Sequence, residues 1–326
     1  LTADDLSPGA VFDHVGTILF NVAVRPVTGE IYVSNTDSPN EVLFEGPGGG
    51  GSTVQGRLSL SQISVLSGAS TVDIRHLNKH IDYTKLHTDA PDIVDTTAKN
   101  HSLATPLEMV FSSDGATLYV AAFGSAKVGV FTASEIQDNS FDPLMDSANY
   151  ISTGGGPSGL ILDESENRLY VMTRFDNSIA VIDLGDNSTL QTVPLHNPEP
   201  STVVEGRPFL YDAFSTSGNG EASCASCHIF GDLDSIAWNL GNPDGGVSNN
   251  NLPAVPGSTA ETTFHPMKGP MTTQTLQDII GKEPLHWRGD KNGLENFNGA
   301  FVGLQGDDIQ LAAQEMQEFE DFLATI

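Results

Sequence analysis

The chain has 326 residues, 38% of them hydrophobic, with 33 glycines, which is enough apolar material for a core and excludes wholesale disorder. Fourteen Lys and Arg against 42 Asp and Glu leave a net charge of −28, a surface that repels the phosphates of nucleic acids and anionic membrane faces. No apolar run approaches the length of a membrane-spanning helix, so the sequence predicts a chain that does not span a membrane, whose acidity first of all keeps a secreted protein soluble and secondly offers a docking face to a basic redox partner.

The first residue is Leu1, and no charged segment followed by an apolar run comes after it. Either a leader has been removed or the chain is a piece of something longer. By the usual domain size it holds two domains or one large one.

Three segments then repeat one pattern of an apolar run, a turn and Leu/Ile-Tyr-Val. They read TILFNVAVRPVTGEIYVSNTDSPN from Thr17, TPLEMVFSSDGATLYVAAFGSAKVGVF from Thr105 and GPSGLILDESENRLYVMTRFDNSIAVID from Gly156. Pro106 to Tyr119 and Pro157 to Tyr170 are both 13 residues, and Pro106 to Pro157 is 51. A further step of 51 lands on Pro208, where a fourth unit is expected to begin. The alternation at Val128 and Val130, and at Ile179 and Val181, predicts strands with one buried face. Thr28-Gly29 and Asp114-Gly115 supply the turns. Small sheets of this kind cannot bury their own faces and pack as propeller blades, although a plain β-sandwich is the blander alternative. The repeat resembles the YVTN-type β-propeller family. Four units are too few for a typical ring, which agrees with the fragment reading.

Residues 41–100 read as a long loop excursion from the first unit, including the flexible stretch GPGGGGS from Gly46. Within it His76 and His80 would share one face of a helix, a weak metal pair without a carboxylate or Cys anchor. Met109, Met145, Met172 and Met316 read as core, and His14, His87, His101 and His196 as surface or structural residues. Two acidic turns, 183–187 and 242–246, could hold Ca²⁺, but they lack EF-hand spacing and read first as solvated loops.

Both cysteines, Cys224 and Cys227, lie in CASCH, which ends at His228. A thioredoxin-like redox pair would not require the following His. A zinc site would need two further ligands, and a disulfide this short would close only a tiny loop. C-x-x-C-H is instead the attachment motif of a c-type haem. Two thiols at this spacing reach the two vinyl positions on one edge of a porphyrin, and the next residue offers its imidazole to the iron. The sequence therefore predicts one covalent haem c.

A six-coordinate haem needs a second axial ligand. Met271, in the Gly/Pro-punctuated KGPM before an expected short helix in TTQTLQDII, is the first candidate, and Met267 the second. His286 and His265 would give bis-His ligation. Either methionine could instead simply pack against the porphyrin face. Trp287 is placed beside the haem, and Arg288 either pairs with a propionate or forms a salt bridge to Asp290. The stretch GDDIQLAAQEMQEFEDFLATI predicts an amphipathic helix over 308–325, with Ile309, Ala312, Met316, Phe319 and Leu323 on its apolar face and Asp307 or Asp308 as its cap.

SCASCH, GPMTTQTLQD and PLHWRGDKNGLENF together resemble the haem domains of the bacterial cytochrome c peroxidase-like family, especially members fused to YVTN propellers. The resemblance covers residues 206–326 and departs at Gln277, where the family usually has Arg. It implies a mainly β chain, with propeller-like repeats over 1–205 and a small, mostly α-helical, cytochrome c-like haem domain over 206–326. The expected function is one-electron transfer by a periplasmic or extracellular bacterial c-type cytochrome. Two rivals stand beside it. One is a di-haem peroxidase or MauG-like oxidase whose second haem lies outside this chain, and the other is a propeller scaffold or assembly subunit.

Overall fold

The computed structural model describes residues 9–42, 56–83, 98–241, 246–249 and 263–326. The stretch from Gly46, His87 and residues 242–245 of one acidic turn lie outside them. The chain is mainly β and forms two units: Leu1–Ser38, Leu60–His80 and Asn100–Asn197 make the first, and Pro39–Ser59, Ile81–Lys99 and Pro198–Ile326 the second. Among the described residues no helix is long and apolar enough to cross a membrane.

The first unit consists of three four-stranded antiparallel sheets, each an up-and-down meander. The first sheet holds β1 (Ile18–Val24), β2 (Ile31–Asp37), β3 (Leu60–Ser67) and β4 (Thr71–His76). The second holds β5 (Pro106–Phe111), β6 (Thr117–Ala122), β7 (Lys127–Thr132) and β8 (Ile151–Ser152). The third holds β9 (Pro157–Asp163), β10 (Arg168–Thr173), β11 (Ser178–Asp183) and β12 (Ser188–Pro194). Pro106 and Pro157 open equivalent strands, where a missing N–H costs the ladder least. Gly29 and Gly115 take the positive φ their turns require.

The sheets stack face on face. Tyr32, Ile63 and Val65 of the first pack with Met109, Leu118, Val120 and Phe131 of the second. Ala121 and Val128 of the second pack with Leu160, Leu169, Ala180 and Ile182 of the third. Polar bonds cross the same interfaces: Arg25 Nε donates to the Gly115 carbonyl (2.9 Å) and the Leu160 amide to Glu108 Oε2 (2.8 Å). Apolar side chains stay exposed on edge strands of the first and third sheets, with Val22 of β1 62% exposed and Ile161 of β9 69% exposed.

Several expectations are corrected. The 41–100 excursion is interrupted by β3 and β4, which complete the first sheet. His76 ends β4 and His80 lies in the following turn, so they share no helix. On β11 the deeply buried face is Ala180 and Ile182, while Ile179 and Val181 are half-buried. Met109 and Met316 are buried as expected, but Met145 and Met172 are exposed.

Pro208 opens no fourth sheet, because it lies inside the helix Ser201–Tyr211. That helix buries Val203, Gly206, Arg207, Leu210 and Tyr211, the three-and-four spacing of one helical face. It packs on the C-terminal helix Ala313–Leu323, which buries Met316, Phe319, Phe322 and Leu323. Phe319 lies edge-on to Phe301, and Tyr211 to Phe322. Arg207, itself buried, pairs with Glu199 at 2.5 Å. The C-terminal helix thus starts later than 308, and Ile309 is exposed rather than on its apolar face. Residues 206–326 are not mostly helical, since short helices alternate with longer irregular segments and two-residue strands.

Asp307 caps no helix. It is buried, its amide donates to the Phe301 carbonyl, and its side chain accepts from the Asp308 amide. Burial raises its carboxyl pKa, opposed by the Asp308 amide and by Lys99. A carboxyl raised in the folded state weakens folding at neutral pH, and that penalty fades as pH falls through the folded pKa toward the unfolded value. Asp307→Asn is therefore expected to raise Tm at pH 7, with the gain over wild type closing under acidic conditions. Thermal melts across pH check this.

Candidate functional site

The site lies in the second unit and is built on CASCH. The helix Ser201–Tyr211 packs against the single 3₁₀ turn Cys224–Ser226. Ser226 Oγ accepts the Ser223 amide (3.0 Å), and the Cys224 carbonyl accepts the amides of both Cys227 (3.3 Å) and His228 (3.0 Å). This winding brings the two cysteines and His228 together on one short loop. Cys227 packs on an apolar wall of Leu58, Ala222 and Trp238, extended by Val42, Ile236, Leu240 and Leu304.

Burial pushes the Cys224 thiol up to about 11, although the Gln305 amide opposes the shift with an Nε2–Sγ contact of 3.3 Å. Burial raises the Cys227 thiol further, helped by the negative charge of Asp234. No disulfide joins them. A catalytic dithiol needs a lowered pKa to expose thiolate, so this apolar setting disfavours redox exchange and suits sulfurs that carry no charge.

His228 Nδ1 lies 2.8 Å from the Gln274 carbonyl. Because a carbonyl only accepts, that nitrogen carries the proton and Nε2 keeps its lone pair, the tautomer a metal-ligating imidazole requires. Burial lowers the His228 pKa, which also favours the neutral ring.

The candidates for the opposite side fall on two loops strapped together. Met271–Thr272 forms a short strand against Ala237–Trp238, with Met271 paired to Trp238, and Trp287 Nε1 donates to the Thr272 carbonyl (2.7 Å). Thr275–Ile280 form no helix, contrary to the expectation for TTQTLQDII. Arg288 donates to the carbonyls of His265 (2.6 Å) and Met267 (3.0 Å) and lies over the Phe264 ring. Asp290 is bonded instead to His286 Nδ1 (3.0 Å), so the alternative Arg288–Asp290 bridge is not formed. Burial and Lys268 lower the His286 pKa, and His228 feels the charge of His286. Trp287 is 58% exposed. Gly241 allows these loops to close, because a Cβ there would sit 2.6 Å from the Lys268 amide nitrogen.

Several residues at the site carried no sequence signal of their own. Arg57 and Leu58 arrive from the segment between β2 and β3, held by a Gly56 amide bond to the Leu304 carbonyl and an Asn219 bond to the Gly56 carbonyl. Tyr83 donates to the buried Glu221, and the Arg57 guanidinium lies over its ring at 5.0 Å. Gln274 and Gln305 stood unremarked beside the motifs. Asp234 and Trp238 are four apart in DSIAW, the one signal that could have linked them. Buried polar atoms lacking partners among the described residues include Gln305 Oε1, Ser223 Oγ and Arg57 Nε.

For metals other than iron, no group of three His, Cys, Asp or Glu side chains suited to an ion occurs among the described residues. In the turn 183–187, Asp183 accepts the Gly185 amide and Asp186 the Ser188 amide.

No protein-family model matches the chain, and no curated protein matches it in sequence. Among solved structures it is similar to hydrazine synthase of Kuenenia stuttgartiensis, at 16% identity and a TM-score of 0.37, over 51% of this chain and 45% of that one. It is similar to the periplasmic gluconolactonase PpgL of Pseudomonas aeruginosa at 16% identity and a TM-score of 0.32, over 55% and 43%. The dihydro-haem d1 dehydrogenase NirN matches at 8% identity and a TM-score of 0.29, over 55% and 28%. These neighbours are β-propeller-like proteins, and the chain spans less than half the length of each.

Proposed function

We propose that the protein is a c-type cytochrome: Cys224 and Cys227 hold one haem covalently, His228 is its proximal ligand, and a basic partner in the periplasm or outside the cell exchanges single electrons with it. The observation that carries this reading is the His228 ring, whose Nδ1 is committed to the Gln274 carbonyl while Nε2 is left to coordinate. Bound haem supplies reversible one-electron exchange at its iron. The chain's part is to fix and shield it. Gln274 sets the imidazole's orientation, and the wall of Leu58, Ala222 and Trp238 keeps water from the ring edge, which limits reorganisation on electron transfer. A guanidinium, that of Arg57 or Arg288, is proposed to pair with a haem propionate. A pyridine haemochrome assay with intact mass tests the reading. One haem per chain, resistant to acid extraction, supports it, and a colourless chain with the bare polypeptide mass ends it.

Met271 is the proposed distal ligand, set by its strand opposite Trp238. His286 is a second reading, favoured by its Asp290 bond, the usual support of a ligating imidazole. Under the first, ferric protein shows the long-wavelength sulfur-to-iron charge-transfer band, and Met271→Ala abolishes it and lowers the reduction potential. If the band is missing in wild type and only His286→Ala yields high-spin iron, the ligand is His286. A high-spin wild type that binds cyanide rapidly favours the peroxidase-type enzyme instead. The scaffold reading draws on the exposed apolar side chains of the edge strands β1 and β9, Val22 and Ile161 among them, and native mass spectrometry of the full chain tests it.

A further inference from the structure

We propose that Asp234 is a fixed, buried negative charge that holds down the reduction potential of the haem bound at Cys224, Cys227 and His228. The inference rests on the haem reading above and goes beyond it by assigning a residue that neither tethers nor ligates.

The geometry is specific. Asp234 is 3% exposed. Its Oδ2 accepts the Trp238 indole N–H at 2.8 Å, and its Oδ1 accepts the Ile236 amide at 3.1 Å. It makes no ion pair among the described residues. The indole that binds it belongs to the apolar wall against which Cys227 packs, so the charge is one side chain removed from a haem-tethering sulfur.

A buried carboxylate without a cation is costly, and two neutral donors compensate it only in part. An amide in its place could accept only one of the two bonds, because its nitrogen is itself a donor. A carboxylate answers both donors and adds a charge. In an apolar setting that charge is weakly screened and stabilises the more positive oxidised iron over the reduced one. The indole N–H tempers the effect by drawing electron density from Oδ2.

Two substitutions in the full chain therefore have opposite signs. Asp234→Asn keeps the shape, removes the charge and gives up one of the two accepted bonds, and at a fixed applied potential it is expected to raise the reduced-to-oxidised ratio roughly tenfold. Trp238→Phe keeps the charge and removes its indole donor, so the ratio is expected to fall. Spectroelectrochemical titration reads both, with the pyridine haemochrome confirming one haem per chain in each protein. Because the charge is buried, the Asp234→Asn shift should persist at high salt. Midpoints that do not move, or that move in the same direction in both variants, overturn the proposal. Should Asp234→Asn fail to accumulate, Trp238→Phe decides alone: a lower midpoint supports the assignment and an equal or higher one ends it. A wild type without haem would overturn the cytochrome reading itself, and the haemochrome assay shows which of the two has failed.

Discussion

Cys224→Ala combined with Cys227→Ala is expected to give a colourless chain whose intact mass equals its polypeptide, in place of a wild type heavier by one haem. The substitution removes the only two cysteines and leaves His228 with its Gln274 bond. Each lost sulfur is half-buried against apolar neighbours, and small cavities of this kind cost about 1–2 kcal/mol. The Gln305 amide also loses its contact with Cys224. Far-ultraviolet circular dichroism should therefore retain the wild-type sheet signal while the Soret band disappears. Each single variant leaves one thioether, so haem should stay attached with the spectrum of a porphyrin keeping one free vinyl. A wild-type mass lower by two hydrogens, restored by reductant, would instead reveal a disulfide and remove the haem from the account.

Gly206→Ala is expected to unfold the second unit or to lower its stability severely, although alanine is the better helix former by about 1 kcal/mol. A Cβ on Gly206 would stand 1.8 Å from the Glu318 carbonyl oxygen and 2.4 Å from its carbon. The obstruction is backbone of the C-terminal helix, which no rotamer change can move. The two helices must separate, and with them the Tyr211–Phe322 and Phe209–Phe319 contacts. Overpacking usually costs about 1–3 kcal/mol, and backbone against backbone sits at or above the upper end. A fall in Tm of roughly 10 °C follows. Gly206→Ser should be at least as damaging. Glu318→Ala, which leaves the offending carbonyl in place, should not rescue either variant. Because the Ser201–Tyr211 helix also packs beside the Cys224–Ser226 turn, haem content is expected to fall along with stability.

The sheets were legible in the sequence because their determinants are local. Pro106 and Pro157 begin strands, Thr28-Gly29 and Asp114-Gly115 turn the chain, and the Tyr-Val runs fall on central strands. The deep face of β11 was less legible. Ala180 is small, Ile179 is large, and only the neighbouring sheet determines which of them is covered. At Pro208 the fixed spacing misled, since the buried stripe Val203, Gly206, Arg207 and Leu210 already carried a helical period. The β3 and β4 segments also had their signals, with Gly68 turning between two alternating runs. CASCH was recognisable because its chemistry depends on spacing alone. The supports for His228 and Cys227 were not. Gln274, Leu58 and Asp234 reach the motif through bonds and packing that span long separations or depend on a wall assembled from several segments.

The chain crosses between its two units after Ser38, Ser59, His80, Lys99 and Asn197. This threading makes the two halves inseparable by any single cut. A recombinant piece starting at Pro198 would carry CASCH yet lack Leu58, which belongs to the wall against which Cys227 packs, and Tyr83, which bonds Glu221 just before the motif. Such a piece should resist maturation even with all its cysteines present. Grafting the second unit onto another protein would accordingly mean transplanting loops from between the strands as well as the C-terminal stretch.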